Sequence, residues 1–293
     1  MRPRERVKPV LVTKTRSRFS NNSRARRAAR WRRRVRDFCF GIIIRLLGND
    51  LNPEAASAVL PGGAERGTVP VWKHLLDVAC LLIAAPVVVP LALLIVVLIK
   101  LVSRGPVLFR QERVGYRGRR FVCLKFRTMT DGADTAVYHG HLDRLMSSNL
   151  PMVKMDAHGD SRLIRGGWLL RAAGLDELPQ LINVLRGEMS LIGPRPCVPY
   201  EYERYRPDQR ERFNTLPGLT GLWQVSGKNN TTFDEMIRLD IHYARSKTLW
   251  LELRIILATV PALVIQIQET RMRRRRAQRR PFTNALPTRL PVR

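Results

Sequence analysis

Two apolar stretches dominate the pattern of hydrophobic and polar positions. The longer, VACLLIAAPVVVPLALLIVVLI at residues 78–99, holds 22 residues and no charge. As one helix it would reach roughly 33 Å, enough to cross a bilayer core. Pro86 and Pro90 lie inside it, and each removes a backbone donor and crowds the carbonyl four residues earlier. Membrane helices tolerate such kinks, so the run is either a spanning helix or a helix that enters the bilayer, breaks near Pro90 and returns. The flanks favour the second. Lys73 and a basic N-terminal region precede the run, and Lys100, Arg104, Arg110, Arg113, Arg117, Arg119 and Arg120 follow it. Positive residues favour the cytoplasmic side, and only a re-entrant helix, over 71–101, keeps both flanks there. The second stretch, LWLELRIILATVPALVIQIQ at 249–268, is interrupted by Glu252 and Arg254 and contains Pro261. It predicts an amphipathic or core helix within 246–270 and makes a poor membrane span.

Shorter patterns fill the rest. DFCFGIIIRLL at 37–47 is either an interfacial helix or a local packing element, and the Gly-, Pro- and Ala-rich residues 48–70 form a linker. Residues 106–129 predict two strands around a turn at Tyr116–Gly118. Residues 130–160 are polar, with helical pieces. Residues 161–185 predict two short helices joined near Gly174. SLIGPRPCVP at 190–199 is a Pro-stiffened loop, LPGLTGLWQVSGK at 216–228 a Gly-rich loop or strand, and DEMIRLDIHYA at 234–244 a helix. A catalytic domain is therefore expected over 102–245.

Charge separates the ends from the body. Residues 1–36 carry 15 Lys/Arg and one acid, and residues 271–293 carry nine Arg and no acid, which leaves only +5 of the +28 for residues 37–270. Such blocks are ordinarily solvated arms, or they adhere to a polyanion, a nucleic acid or an anionic bilayer. Nucleic-acid binding calls for stacking aromatics among the charges, and the arms offer only Phe19, Trp31 and Phe282. Anionic membrane lipid is the better partner, and no nucleic acid is expected. The four cysteines, Cys39, Cys80, Cys123 and Cys197, form no Cys-x-x-Cys pair, so neither a zinc site nor a disulfide framework is indicated. No secretory signal is expected, because the first long apolar run starts at Val78.

The candidate chemistry lies in GLDELPQLINVL at 174–185. Leu178, Leu181, Ile182 and Leu185 fall at i, i+3, i+4 and i+7, a core stripe on a helix. Pro179 belongs in a first turn, which puts Asp176 at or near the N-cap and Glu177 in the first turn. Asp176 could simply cap the helix. The neighbours suggest more: Arg162, Arg165, Arg171, Arg186 and Arg195 surround the pair in sequence, and Lys125 and Arg127 end a strand. Guanidinium groups bind phosphate bidentately. A divalent cation would reconcile phosphate with carboxylates, and hard oxygen ligands suit Mg²⁺. Asp176 and Glu177 as Mg²⁺ ligands within an Arg rim describe a phosphoryl-transfer site, and a carboxylate can also attack phosphorus. No P-loop or GxGxxG pattern is present.

Seven segments in order, Lys73 with Asp77, the Pro90 break, GPVLFRQERVG, KFRTM, DSRLIRGGWLLR, LDELPQLINVLRGEMSLIGPRP and PGLTGLWQVSGK, resemble the bacterial sugar transferase family, the monotopic phosphoglycosyl transferases, from about Trp72 to Leu263. The resemblance implies an α+β architecture: a re-entrant membrane hairpin, a small cytosolic α/β catalytic domain and interfacial amphipathic helices, on the cytoplasmic face of the cytoplasmic membrane. It implies transfer of a sugar 1-phosphate from a UDP-sugar to undecaprenyl phosphate with release of UMP, the first membrane step of exopolysaccharide assembly. Asp176 would be the nucleophile and Glu177 would help hold Mg²⁺. Arg195 would contact phosphate, with Arg171, Lys125 and Arg127 as further phosphate contacts and Trp223 on the nucleotide or membrane side. A homodimer is an option. Val89 stands where Ser often precedes the helix-breaking Pro, and the basic arms lie outside the shared region. The alternatives of a nucleic-acid-binding protein or a catalytically silent membrane scaffold differ in predicting no UMP release.

Overall fold

The computed structural model describes residues 30, 33–39, 41–48, 69–130, 135–148, 151–152, 162–227 and 231–279. The chain divides into two units, Met1–Phe38 and Cys39–Arg293. Of the first, the described residues 30 and 33–38 are helical, and the rest of the basic arm lies outside the described residues, as do most of the linker and the end of the basic tail.

The second unit mixes helices with two small sheets, in agreement with an α+β class. Helix α1, Val71–Val102, is the long apolar element, and Pro86 and Pro90 both lie inside it. The break expected at Pro90 therefore does not end the helix. A proline removes one donor per turn, and the remaining ladder of a long apolar helix carries the segment through. Helix α1 and residues Leu249–Met272 are both long and apolar enough to cross a membrane by length and composition.

Both ends of α1 pack on the same unit. Near its start, Lys73 and Asp77 are buried one turn apart. Lys73 Nζ donates to Glu252 Oε1 at 2.5 Å, to the Tyr243 hydroxyl at 2.9 Å and to the Ile192 carbonyl at 3.0 Å. Asp77 Oδ1 accepts from Ser190 Oγ and Leu191 N, each at 3.0 Å. Near its end, Ile95 and Ile99 form a small core with Phe126 and Ile164. Between these ends Leu82, Ile83, Val87, Val89, Leu93 and Leu94 are all exposed.

Strands β1 (Leu108–Val114) and β2 (Arg120–Phe126) form the predicted antiparallel hairpin, and its turn is a 3₁₀ segment at Tyr116–Gly118. Helix α2 is Thr135–Ser147. Helix α3 (Gly167–Ala173) ends at Gly174, whose φ of 72° is the left-handed geometry that glycine adopts at a helix C-terminus. A 3₁₀ turn, Leu175–Glu177, follows, then helix α4 (Gln180–Leu185). Strand β3 (Ser190–Ile192) pairs in parallel with β4 (Gly218–Thr220). A Cβ on Gly193 would stand 2.2 Å from the Leu216 carbonyl oxygen, so the backbone crossing after β3 requires glycine. Helices α5 (Pro199–Glu203), α6 (Leu222–Val225) and α7 (Phe233–Ser246) complete the domain, and Thr232 and Glu235 cap α7 reciprocally. Helix α8, Leu249–Arg279, runs through Pro261 and continues nine residues into the expected basic tail.

The main core gathers Ile192, Phe213, Trp223, Met236, Ile237, Tyr243 and Ile255. Ile43 and Leu47, from helical residues 41–47, join it, so this part of the 37–47 segment packs locally while Ile44 faces outward.

Candidate active site

Asp176 and Glu177 sit in the 3₁₀ turn between Gly174 and α4. The residue heading that turn is Gly174 and the residue heading α4 is Pro179, and neither helix start has a side-chain cap bond. Asp176 is therefore not the N-cap that the sequence suggested; Pro179 delays α4 by a turn and leaves the carboxylate pair ahead of it. Leu175 and Leu178, on either side, pack against the core formed with Ile95 and Ile99 of α1. The carboxylate pair thus hangs from the end of the apolar helix.

The stripe expected in the core splits: Leu178 packs against the core and Leu181 is half-buried, while its other two members turn outward. Ile182 is 41% and Leu185 60% exposed, while Gln180, Asn183 and Val184 are buried. Periodicity fixes a face but not its direction, and here polar chemistry decides it. Asn183 Oδ1 accepts from Leu124 N at 3.1 Å, and its Nδ2 donates to the Val122 carbonyl at 2.8 Å and to Glu188 at 2.6 Å. The carboxamide occupies the place of a neighbouring peptide on the free edge of β2. It satisfies two groups that an edge strand would otherwise leave open, and it ties α4 to the sheet.

On the hairpin, Phe109 opposes Lys125, Gln111 opposes Cys123 and Arg113 opposes Phe121. Residues two apart on a strand share a face, so Lys125, Cys123, Gln111 and Arg113 stand together. Lys125 Nζ lies 2.9 Å from Glu177 Oε1. Arg113 is buried and donates to Gln111 Oε1 and, at 3.1 Å, to the Pro196 carbonyl. Val114 N donates to Cys197 O, which laces the Pro-stiffened loop to the end of β1. In that loop Arg195 Nη1 stands 4.0 Å from Glu201 Oε2. Its carbonyl accepts from Arg212, which is buried and paired with Asp240 at 2.5 Å. Burial raises the pKa of the Cys123 thiol; Lys125 and Arg113 oppose that shift, Glu177 adds to it and Arg195 opposes it. These four charges, from several parts of the sequence, all act on that thiol.

Arg113 and Gln111 were not among the expected site residues; strand register puts them on the same face as Lys125, Gln111 opposite Cys123 and Arg113 opposite Phe121. Two other expectations land differently. Arg127 is buried and donates to Ser103 O at 3.2 Å and Ser103 Oγ at 3.1 Å, so it fastens the turn after α1 instead of rimming the pair. Trp223 is 3% exposed within the main core, where tight packing keeps it from a nucleotide or lipid surface. Arg171 reaches Met129 Sδ at 3.6 Å.

Among the described residues no cluster of three or more His, Cys, Asp or Glu could hold a metal. The pair alone offers two carboxylates, which suits Mg²⁺, a cation that takes its remaining ligands from water and substrate phosphate.

A carboxylate pair beside a lysine ammonium and packed at the end of an exposed apolar helix suits phosphate chemistry at an apolar surface. Residues 68–266 match the bacterial sugar transferase family, and the chain belongs to that family. It is 41% identical over 228 residues to the UDP-glucose:undecaprenyl-phosphate glucose-1-phosphate transferase of Caulobacter vibrioides, covering 73% of this chain and 79% of that one. It is 34% identical over 213 residues to the exopolysaccharide production protein ExoY of Sinorhizobium fredii, covering 73% of this chain and 92% of the relative. The undecaprenyl-phosphate galactose phosphotransferase of Salmonella typhimurium is 35% identical over 204 residues, 66% of this chain and 40% of that protein.

Proposed function

We propose that the chain transfers a sugar 1-phosphate from a UDP-sugar to undecaprenyl phosphate, releasing UMP, as a membrane step of exopolysaccharide assembly. The observation that carries this reading is the Asp176–Glu177 turn, held against Lys125 of β2, in a chain related to transferases of that name.

An oxygen of the Asp176 carboxylate attacks the phosphorus attached to the sugar. The bond from that phosphorus to the bridging oxygen breaks, and the oxygen leaves with UMP. The sugar phosphate stays on Asp176 as an acyl phosphate. An oxygen of undecaprenyl phosphate then attacks the same phosphorus, the acyl–phosphorus bond breaks, and the carboxylate returns. Lys125, Arg113 and Arg195 stabilise charge that develops on the phosphoryl oxygens, and their fixed positions avoid reorganisation during reaction. Asp176 and Glu177 would hold Mg²⁺, which when bound would neutralise diphosphate charge.

Helix α1 enters the cytoplasmic leaflet and returns, bending around Pro86 and Pro90. Three features support this: Lys73 and Asp77 at one end and Ile95 and Ile99 at the other are buried on the same unit, the middle is exposed and apolar, and both flanks are basic. The catalytic domain then lies on the cytoplasmic face, with the exposed apolar faces of α4 and α8 turned to the bilayer.

The test is a UMP-release assay with membranes, undecaprenyl phosphate and a panel of UDP-sugars. Wild type is expected to release UMP with one or a few donors, and Asp176→Asn is expected to fold but lose at least about 10³-fold in turnover. Mass spectrometry of single-turnover reactions should find the sugar phosphate on the peptide containing Asp176. Near-normal turnover by Asp176→Asn would reject the nucleophile.

A further inference from the structure

A groove of about 490 Å³ opens between residues 45–48 and the first turns of α8. It is lined by Arg45, Leu46 and Leu47 on one side and Trp250, Leu253, Arg254 and Leu257 on the other. Its two walls are held by the main core. Ile43 and Leu47, one turn apart and 2% and 0% exposed, fix the first; Leu251, Ile255 and Ala258, all buried, fix the second.

The groove has two chemical characters. The outward stripe of α8, Trp250, Leu253, Leu257 and Val260, is exposed although wholly apolar, and exposed patches of this kind mark a partner. The groove's polar lining is two guanidinium groups and no carboxylate. The Arg254 guanidinium lies over the Trp250 ring, 5.3 Å from its centroid, an aromatic–cation pair suited to the boundary between apolar and wet surroundings. An apolar slot ending in two fork-shaped cations is complementary to one ligand class, an amphiphile with a phosphate diester head.

We propose that this groove binds an anionic phospholipid of the surrounding leaflet. Arg45 and Arg254 hold its phosphate, and an acyl chain follows Leu253, Leu257 and Val260. The inference rests on the membrane association proposed above. The ligand is a bulk phospholipid and not the polyprenyl substrate, because one wall of the groove, residues 45–48, lies outside the family match at 68–266. The shared reaction does not need that wall. The site is thus an addition by which this chain reads the lipid around it.

The experiment uses the full chain in neutral detergent, titrated with phosphatidylglycerol and followed by native mass spectrometry, with phosphatidylcholine as the uncharged comparison. The variants are Arg45→Gln/Arg254→Gln, the single charge reversal Arg45→Glu at the exposed wall, and a deletion of residues 1–36. Wild type should hold one phosphatidylglycerol. Each basic contact to an anionic lipid is worth about fivefold, so the double variant should bind roughly 25-fold more weakly, Arg45→Glu at least fivefold more weakly, and the deletion as well as wild type. Equal binding by the double variant would overturn the proposal. So would loss on deletion of the arm, which would assign the lipid to non-specific charge. Displacement by stoichiometric undecaprenyl phosphate would give the groove to the substrate, and displacement by inorganic phosphate would leave only an anion site; either rejects the phospholipid. Vesicle flotation runs alongside. Failure of wild type itself to float would sink the membrane reading, whereas flotation of a variant that has lost lipid retention keeps the two apart.

Discussion

Asn183 shows how far a single residue can reach in this site. Its amide closes the open edge of β2 and thereby holds the Asp176–Glu177 turn against Lys125. Nothing in the sequence distinguishes it from any polar residue on a short helix, because its partners are backbone groups whose exposure depends on which edge of the hairpin is free. The carboxylate pair itself was legible, since two adjacent acids among arginines need a reason, but its placement as an N-cap was not, since Pro179 moves the start of α4. Glu177 lies next to Lys125, so its charge serves both that ammonium and the Mg²⁺ proposed for the site. Glu177→Gln should lower turnover by roughly 10²-fold and raise the Mg²⁺ concentration needed for half activity, read from UMP release across a magnesium titration; full wild-type activity in EDTA would remove the metal from the proposal. Arg113, found only through strand register, yields a sharper test. Arg113→Gln should lower kcat/KM about 10–100-fold with a smaller change in thermal midpoint, while Arg113→Lys recovers part of the rate because charge returns without the fork. If both variants lose stability in step with activity, Arg113 serves only to fasten the Pro196 loop.

Among the elements, the hairpin and α7 were readable because their signals are local: alternation around a Gly-containing turn, and a Thr–Glu capping pair ahead of an apolar run. Helix α4 was readable as a helix, yet Ile182 and Leu185 of its expected stripe point out while Leu178 packs against the core. Periodicity could not foresee that split, because the polar anchor Asn183 sets how the helix is turned. Helix α1 poses the converse case, where charge was expected to flank a membrane segment and instead two charged residues are buried at its foot. Lys73 and Asp77 hold β3 by its Ile192 carbonyl and Leu191 amide, three residues or so before Arg195. Helix α1 therefore grips the strand that leads into the loop of Arg195. Lys73→Met leaves Glu252, which is fully buried, without its counter-charge, and losing one partner of such a pair costs about 3–5 kcal/mol. Thermal unfolding in detergent should show that loss, and Lys73→Met/Glu252→Leu should recover most of it because neither charge remains buried alone. Additive losses in the double variant would mean that the pair is not coupled.

For the molecule as a whole, the decisive question is where the two ends of α1 lie. Charge on the flanks suggests one side, and both ends pack on one unit: Lys73 is locked to Glu252 and Tyr243, and Ile99 is packed with Phe126 and Ile164. The re-entrant course proposed above keeps both of these contacts. Val71 and Leu101, 75% and 76% exposed, offer reporters beside the two ends, and Val87, 71% exposed, offers one between Pro86 and Pro90. The native thiols give little background, since Cys39, Cys123 and Cys197 are buried, and burial pushes Cys197 up to about 12, far from thiolate at neutral pH. Replacing Cys80 by Ala removes the fourth, which is less buried. Single cysteines at 71 and 101 should then resist a membrane-impermeant maleimide added to intact cells and react in inverted vesicles. A cysteine at 87 should resist it in both, because about 15 residues of helix separate it from either end and half that distance already lies within the hydrocarbon. Labelling of exactly one flank from outside would instead require the helix to span, and with it a rearrangement that frees Lys73 or Ile99 from the core.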